Sequence, residues 1–535
     1  MAQDEYRTRL RDRRLLLTLA VGLPLVEVLT LALLDIPSGF GLAGQVTAPG
    51  PFGVFHDLRW LFVFHDSVVG FVACLLLLIA FRSLLTALLV RSAWPGRPPG
   101  FRRLLGYALV STLVAAVFLS PWVTLLFGAA VVPLSWLFFG ALPPALATIL
   151  VLHHMGIDGG WWRRLPPVRS AAWMGLSFLA LSLSALAVAG RSLPVVLGVV
   201  AVTGLFNAWA WHHLVGEIVR GLPARSRRLA PVTVMAALAV FLVAVVGSQI
   251  GFAARGNEDP GVWVAGDVRQ GVRAVLLVGG FASGCCDEGP KLQSGSDAIY
   301  VEQFSYLGLT DQGDPLPHSG LVTDADLSRL ARLMEAQLAN LAARSGGPVA
   351  VVAESEGTLV ASVYLAEHPE APVDRLMLLS PIIEPARVTY PDRGEEGQGM
   401  VAGYELRVIS ELIDEMAPFT ISADGALVES VRREAADLQA ALLGDHPRIE
   451  EVAVLPLADA VTGPGDTDFE IEVIVVPGFH GGLRGRPDIQ VMIRSWVLGE
   501  DLEGSAIWLT VNWVIAGSAS AWQVPALDSI AYPAG

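Results

Sequence analysis

Long apolar runs in the first half of the chain limit its fold more than any other feature of the sequence. A helix that crosses the hydrocarbon core of a bilayer needs about 20 mostly apolar residues, because each helical residue advances about 1.5 Å. We therefore expect residues 1–253 to form an α-helical transmembrane bundle with the lipid bilayer as its partner. Seven runs are long enough to span, at residues 14–35, 67–90, 104–128, 130–152, 171–190, 193–214 and 229–252.

The arginines predict the orientation of these spans. Sixteen of them lie before the first span or in the loops after the second, fourth and sixth spans, whereas the intervening loops contain only Arg59 and Arg191. Basic loops stay on the cytoplasmic side of a membrane. The pattern predicts a multi-pass protein of the cell membrane, with a cytoplasmic amino terminus and with residues 254–535 outside the cell.

Charge and cysteine content exclude several classes of function. The net charge is −15 and its acidic excess falls in the second half of the chain, which is unsuited to nucleic acid. Only three cysteines occur, Cys74 and the adjacent pair Cys285 and Cys286, so no spaced zinc motif is available. We expect no metal and no other cofactor, and the adjacent cysteines are either two thiols or a vicinal disulfide.

The pattern changes at about residue 262 to short apolar strands that alternate with amphipathic helices. It predicts an α/β domain at residues 254–535, with a mostly parallel sheet covered on both faces. A helix is predicted near residues 325–345, between the start signal Thr323-Asp324 and the stop signal Gly346-Gly347. The predicted strands are at 274–280, 299–306, 349–353, 375–380, 451–456 and 469–476.

A serine lies between the third of these strands and the helix that follows it. The chain reads Ala353-Glu354-Ser355-Glu356-Gly357 at this point. A serine on a sharp turn from strand to helix has small neighbours two residues away and an exposed hydroxyl. The segment resembles the nucleophile elbow of the esterase-like and lipase-like members of the α/β-hydrolase superfamily, whose pattern is Gly-x-Ser-x-Gly; the first Gly is Ala here. The resemblance implies that Ser355 is a catalytic nucleophile.

The same resemblance implies a base and an acid later in the chain, in the order Ser, acid, His. His480 follows the last predicted strand, and Asp459 follows the strand before it, as the family order requires. His446 precedes a strand and therefore lies at the opposite end of the sheet. Three other acids compete with Asp459 for the role of orienting the histidine, namely Asp466, Asp468 and Glu384.

Acyl transfer also needs donors for the oxyanion that develops on the substrate. The family resemblance implies the backbone N–H groups of Glu356 and of Phe281, which follows the pair Gly279-Gly280. The carboxylates of Glu354 and Glu356 flank the nucleophile and would oppose the developing charge if they were buried.

Two further segments leave alternatives open. Residues 382–447, with helices predicted near 404–417 and 426–443, resemble the cap that covers the site in many members of the family. Residues 505–522 are uncharged and form either an eighth span or a helix that packs on the second domain or lies at the membrane surface.

The first outer loop repeats Phe-His-Asp, with histidines at His56 and His65. Nine residues make two and a half helical turns, so a straight helix would place the two rings on opposite faces. A shared site is therefore the less favoured interpretation.

Together these features predict a membrane-anchored serine hydrolase that acts on ester or thioester bonds of a small-molecule or lipid-derived substrate. An acyltransferase would use the same nucleophile and differ only in the acceptor. A ligand-sensing or transport-associated protein with a non-catalytic domain of this kind is the alternative from another class.

Overall fold

The computed structural model describes residues 2–131, 168–221, 262–263, 270–286, 291–292, 299–414, 422–443, 446–457, 471–478 and 480–525. The helices described in the first half are α1 (Ala2–Leu33), α2 (Phe52–Phe64), α3 (Val68–Ala93), α4 (Phe101–Val131), α5 (Val168–Val188) and α6 (Leu193–Gly221).

Five of these helices are long and apolar enough to cross a membrane. Their apolar segments contain 21 to 28 residues and extend roughly 32 to 42 Å, which exceeds the thickness of about 30 Å of a hydrocarbon core. They coincide with five of the seven predicted spans. The other two predicted spans, 130–152 and 229–252, lie almost entirely outside the described residues.

The short helix α2 belongs to the loop between the first two candidate spans and is mostly buried. Its Asp57 carboxylate accepts a hydrogen bond of 2.8 Å from Nε of Arg82 in α3. Its His56 ring is joined by hydrogen bonds of 2.8 Å to Asp57 and to Glu27 of α1. Buried charges are stable only when they are paired, so this network fastens the loop to two spans.

The second half contains a sheet of six strands that are all parallel, in the order β2-β1-β3-β4-β5-β6. Each strand is a nearly continuous apolar run because helices cover both faces of the sheet. The strands are β1 (Arg273–Val278), β2 (Ile299–Gln303), β3 (Val349–Glu354), β4 (Val373–Leu379), β5 (Glu450–Pro456) and β6 (Glu472–Val476).

Among the described helices, three pack on one face of this sheet and one packs on the other, and the last of them contacts the edge strand β6. The first face carries α7 (Leu327–Ser345), α8 (Glu356–Glu367) and α10 (Ala426–Leu443), and the second carries α11 (Pro487–Val497). Helix α7 begins after Asp326, whose side chain accepts a hydrogen bond from Arg329 N, and it ends at Gly346 with a φ of 74°. Cap residues and a left-handed glycine at the end of a helix are the expected boundary signals.

The segment between β4 and β5 attaches the sheet domain to the apolar helices of the first half. Its helix α9 (Met400–Asp414) lies against α4, where Glu405 accepts hydrogen bonds from the hydroxyl groups of Ser120 and Thr124. The backbone N–H of Ala386 donates to the carbonyl of Val131 at 2.9 Å. We call residues 382–447 the docking segment.

The last described helix, α12 (Ala506–Ala519), packs on α5 of the membrane half. Its 14 residues extend about 21 Å, which is short of a hydrocarbon core. The chain after it enters the membrane half, where Trp522 Nε1 donates to Ser182 Oγ at 2.8 Å. The length favours the packed helix over an eighth span.

Candidate active site

Ser355 occupies a strained turn between β3 and α8. Its φ of 54° and ψ of −118° lie in a region that L residues rarely adopt and that costs on the order of 1–3 kcal/mol. The surrounding strands hold it there, since Ser355 N donates to the carbonyl of Leu379 in β4 at 3.0 Å. The turn lifts the hydroxyl off the end of the strand, as a nucleophile elbow requires.

The small residues of the motif are explained by close backbone approaches. A Cβ on Gly357 would lie 2.7 Å from the carbonyl oxygen of Val278 and 2.8 Å from that of Gly279. Both distances are shorter than real Cβ contacts, so α8 can start this close to β1 only with glycine at this position. Ala353, where the family pattern has glycine, is completely buried in the sheet.

His480 lies against the serine. The distance from Ser355 Oγ to His480 Nε2 is 2.8 Å, and the two residues are only 8 % and 7 % exposed. The loop after β6 turns sharply at Gly481 and Gly482, which have φ values of 77° and 75°. A hydroxyl and an imidazole nitrogen at this distance are placed for transfer of the serine proton.

The third member of the predicted triad lies outside the described residues. Asp459 is not described, nor are its competitors Asp466 and Asp468. Glu384 is described and forms an ion pair of 3.2 Å with Arg387. The role of Asp459, or alternatively of Glu384, as the acid that orients His480 stays a prediction.

His446 lies away from the site, at the amino end of β5. Its Nδ1 lies 2.6 Å from Glu451, in agreement with its expected position at the other end of the sheet.

The two predicted oxyanion donors come from neighbouring strand ends. Glu356 is the first residue of α8, so its N–H belongs to the free donors at the positive end of a helix. Phe281 follows β1 in a turn in which Ser283 N donates to the carbonyl of Gly280 at 3.1 Å. A Cβ on Gly280 would lie 2.9 Å from the Cβ of Ser355, so the turn passes directly beside this serine.

The position of the site follows from the order of the strands. The chain leaves β1 toward β2 on one side and leaves β3 toward β4 on the other side. This reversal opens a crevice between the carboxyl ends of β1 and β3, where parallel sheets generally bind ligands. Ser355 and the Gly279-Gly280 turn border that crevice.

Glu354 has a role that its sequence position did not reveal. Its carboxylate accepts hydrogen bonds from the backbone N–H groups of Leu483 at 2.7 Å and of Arg484 at 3.4 Å. Both donors belong to the loop that carries His480, so Glu354 fastens this loop to the elbow. The partners are 129 residues apart in the chain, and no local pattern signals such a contact.

Glu356 has very different surroundings. It is 1 % exposed, and neither carboxyl oxygen has a hydrogen-bond partner within the described ranges. Burial, and after it the nearby carboxylate of Asp324, raises the pKa of Glu356 well above its usual range. Burial therefore favours the protonated, uncharged form of this side chain.

The turn beside Ser355 continues into the cysteine pair. Cys285 and Cys286 form a vicinal disulfide. Cys285 exchanges backbone hydrogen bonds with His318, of 3.0 and 3.1 Å. The backbone N–H of Ala282 donates to Thr323 Oγ1 at 2.9 Å. Both contacts hold the turn against the segment before α7.

In the part of the chain that the structure describes, no cluster of three or more His, Cys, Asp or Glu side chains is arranged to hold a metal ion. A comparison of the chain with the models of protein families, with curated proteins and with solved structures finds no match. The function is therefore argued from the site itself.

Proposed function

We propose that the chain is a membrane-anchored serine hydrolase of the α/β-hydrolase type. The observation that carries the proposal is the contact of 2.8 Å between Ser355 Oγ and His480 Nε2, made by a serine on a strained strand-to-helix turn. Serine is a weak nucleophile by itself and gains reactivity from an adjacent base. The pair lies at the carboxyl edge of a parallel sheet, where ligands generally bind, and this position supports a role in acyl transfer.

The reaction would follow the general sequence for an activated serine. His480 accepts the hydroxyl proton while Ser355 Oγ bonds to the carbonyl carbon of an ester or thioester. The N–H groups of Glu356 and Phe281 stabilise the oxyanion, each by an expected 3 to 4 kcal/mol or so. The intermediate collapses to an acyl-serine as His480 returns the proton to the leaving alcohol or thiol, and water then releases the acid by the same route. Asp459 would orient the imidazole.

The contacts with the membrane half support a lipid-derived substrate. Ile382 N donates to Thr358 Oγ1 in the first turn of α8 at 3.4 Å, and Ala386, four residues later, is bonded to Val131 at the end of α4. Four extended residues span at most about 14 Å. Helix α8, which begins directly after Ser355, is thus held close to the end of the candidate span α4. The arginine pattern predicts that this end lies outside the cell.

The buried Glu356 favours one alternative, a ligand-binding domain without catalysis. A carboxyl group beside the proposed oxyanion donor is an unusual choice for a hydrolase, because its ionised form would oppose the reaction. Burial raises the pKa of Glu356 and so favours its neutral form, which does not oppose the reaction; the hydrolase is therefore the preferred function. Transfer of the acyl group to an acceptor other than water uses the same intermediate.

A fluorophosphonate probe tests the proposal, because it reacts with serines that a neighbouring base activates. We expect labelling of the full-length protein in detergent, and its loss in Ser355→Ala and in His480→Ala. His446→Ala is the matched control, since this histidine lies at the other end of the sheet and its loss leaves labelling intact. An unlabelled but folded wild-type protein would favour the non-catalytic alternative.

A further inference from the structure

The two glutamates that flank Ser355 differ in how their charge is satisfied. Glu354 accepts hydrogen bonds from two backbone N–H groups, with the Arg484 guanidinium 3.9 Å away. Glu356 is equally close to the nucleophile in the chain, but it is 1 % exposed and its two oxygens have no partner among the described residues. A buried polar group without a partner is rare enough to require an explanation.

Among the residues that the structure describes, the groups around Glu356 offer no compensation for a negative charge. Asp324, from the segment before α7, carries a charge of the same sign and raises the pKa of Glu356. The hydroxyl of Tyr306, which follows β2, donates instead to the carbonyl of Gly279 at 2.6 Å. Arg484 faces Glu354, and Nε2 of His480 faces Ser355. Ionised Glu356 would therefore be a buried charge beside a second carboxylate.

We infer that Glu356 serves the site as a neutral carboxylic acid and that the loss of its proton shuts down acyl transfer at Ser355. This inference rests on the proposed function. The N–H of Glu356 is the expected oxyanion donor, and the carboxyl group belongs to the same residue. Two like charges about 6 Å apart, at an effective dielectric constant of about 20, would slow the reaction roughly 100-fold.

This role of Glu356 predicts that activity decreases as the pH increases. Activity is present while Glu356 keeps its proton and falls as the pH rises through the elevated pKa of this group. Glutamine has the shape of the neutral acid and cannot ionise.

The first test measures the rate of fluorophosphonate labelling of the full-length protein as a function of pH. We expect the wild-type rate to fall at alkaline pH by a factor of 10 to 100 or so, and the rate of Glu356→Gln to stay level. Glu367→Gln is the matched control, an exposed glutamate at the other end of the same helix, and it keeps the wild-type profile. An alkaline fall that persists in Glu356→Gln, or a loss of labelling in this variant at every pH, would overturn the inference.

A second readout does not depend on activity. Infrared spectra at neutral pH should contain the carbonyl band of a protonated carboxylic acid that is missing in Glu356→Gln. The lack of this band in the wild-type protein would overturn the inference, whatever the labelling shows. The band without any labelling would instead refute the proposed function. If Glu356→Gln does not fold, Glu356→Met supplies the same comparison, because an apolar side chain replaces a neutral, unpartnered acid without leaving a buried donor.

Discussion

Gly280 approaches Ser355 so closely that no side chain fits at position 280, beside the proposed oxyanion donors. A Cβ at this position would lie 2.9 Å from the Cβ of Ser355 and 3.2 Å from the carbonyl oxygen of Glu354. The turn after β1 or the elbow itself would have to move to accommodate a methyl group. Displacements of about 1 Å at a reacting centre typically cost around 100-fold in rate.

We therefore expect Gly280→Ala to slow fluorophosphonate labelling roughly 10- to 100-fold while the protein stays folded. Gly347→Ala is the control, because a Cβ at Gly347 meets no atom within 4 Å. Rates for Gly280→Ala that equal those of the control would show that the turn does not need to lie this close to the nucleophile.

The residues of the site differ in how well the sequence predicts them. Ser355 is recognisable because its signal is local, a serine between an apolar strand and a helix. The order of the later strands brings His480 to the same sheet edge, where it contacts Ser355. The contacts of Glu354 and the burial of Glu356 depend on loops far away in the chain, so composition and spacing carried no sign of them.

At the scale of elements, the two halves of the Phe-His-Asp repeat have separate structural tasks. His56 joins the ionic network between α1, α2 and α3. His65, just after α2, accepts a hydrogen bond of 2.6 Å at Nε2 from the backbone N–H of Val401 in α9. Its Nδ1 donates to the carbonyl of Leu61 at 2.7 Å, which fixes the neutral tautomer. The nine-residue spacing correctly predicts that the two rings do not share a site.

The His65 contact makes docking of α9 sensitive to pH. A protonated ring carries hydrogen on both nitrogens and cannot accept the bond from Val401. Burial lowers the pKa of His65 in the folded protein, so the unfolded state binds the proton more readily. The contribution to stability is therefore present above the unfolded pKa of about 6.5 and is lost as the pH falls through and below that value.

Hydrogen exchange of the backbone amides near Val401, corrected for the intrinsic pH dependence, measures this effect. We expect protection at pH 7.5 or so and a decrease by about pH 5.5. His65→Gln keeps a side-chain acceptor without titrating, and its protection should be the same at both values. An equal decrease in this variant would assign the pH sensitivity to another group.

The prediction of elements from periodicity succeeds where an element buries one continuous face. The sequence pattern predicts all six strands of the large sheet within a few residues of their observed bounds, and Ala426–Leu443 forms the helix predicted at 426–443. The family resemblance predicts that the docking segment is a cap, and this stays a prediction. Its Glu405 contacts Ser120 and Thr124 of the apolar helix α4, a pairing between distant residues that periodicity does not encode.

At the scale of the whole molecule, the chain after α12 joins the two halves. Arg59 of α2 is fully buried and donates to the carbonyl oxygens of Ala521 and Gln523, at 2.8 Å each. Between them, the indole of Trp522 packs on the rings of Phe52 and Phe178, with centroid distances of 5.4 and 4.5 Å. A charged side chain that is buried this deeply needs these carbonyl groups as partners.

Truncation of Trp522 should therefore weaken the whole assembly and not only the tail. Trp522→Ala removes a buried aromatic side chain, a change that costs around 3–5 kcal/mol in a core, and leaves Ser182 without its indole donor. We expect the apparent midpoint of thermal unfolding in detergent to fall by several degrees. Trp513→Ala is the matched control, since Trp513 lies on α12 and is 44 % exposed.

Because the chain after α12 also holds α2, and α2 positions the His65 contact with α9, Trp522→Ala should also increase amide exchange near Val401. Unchanged exchange there, together with a lowered midpoint, would mean that the tail and the docking segment attach the sheet domain to the membrane half independently.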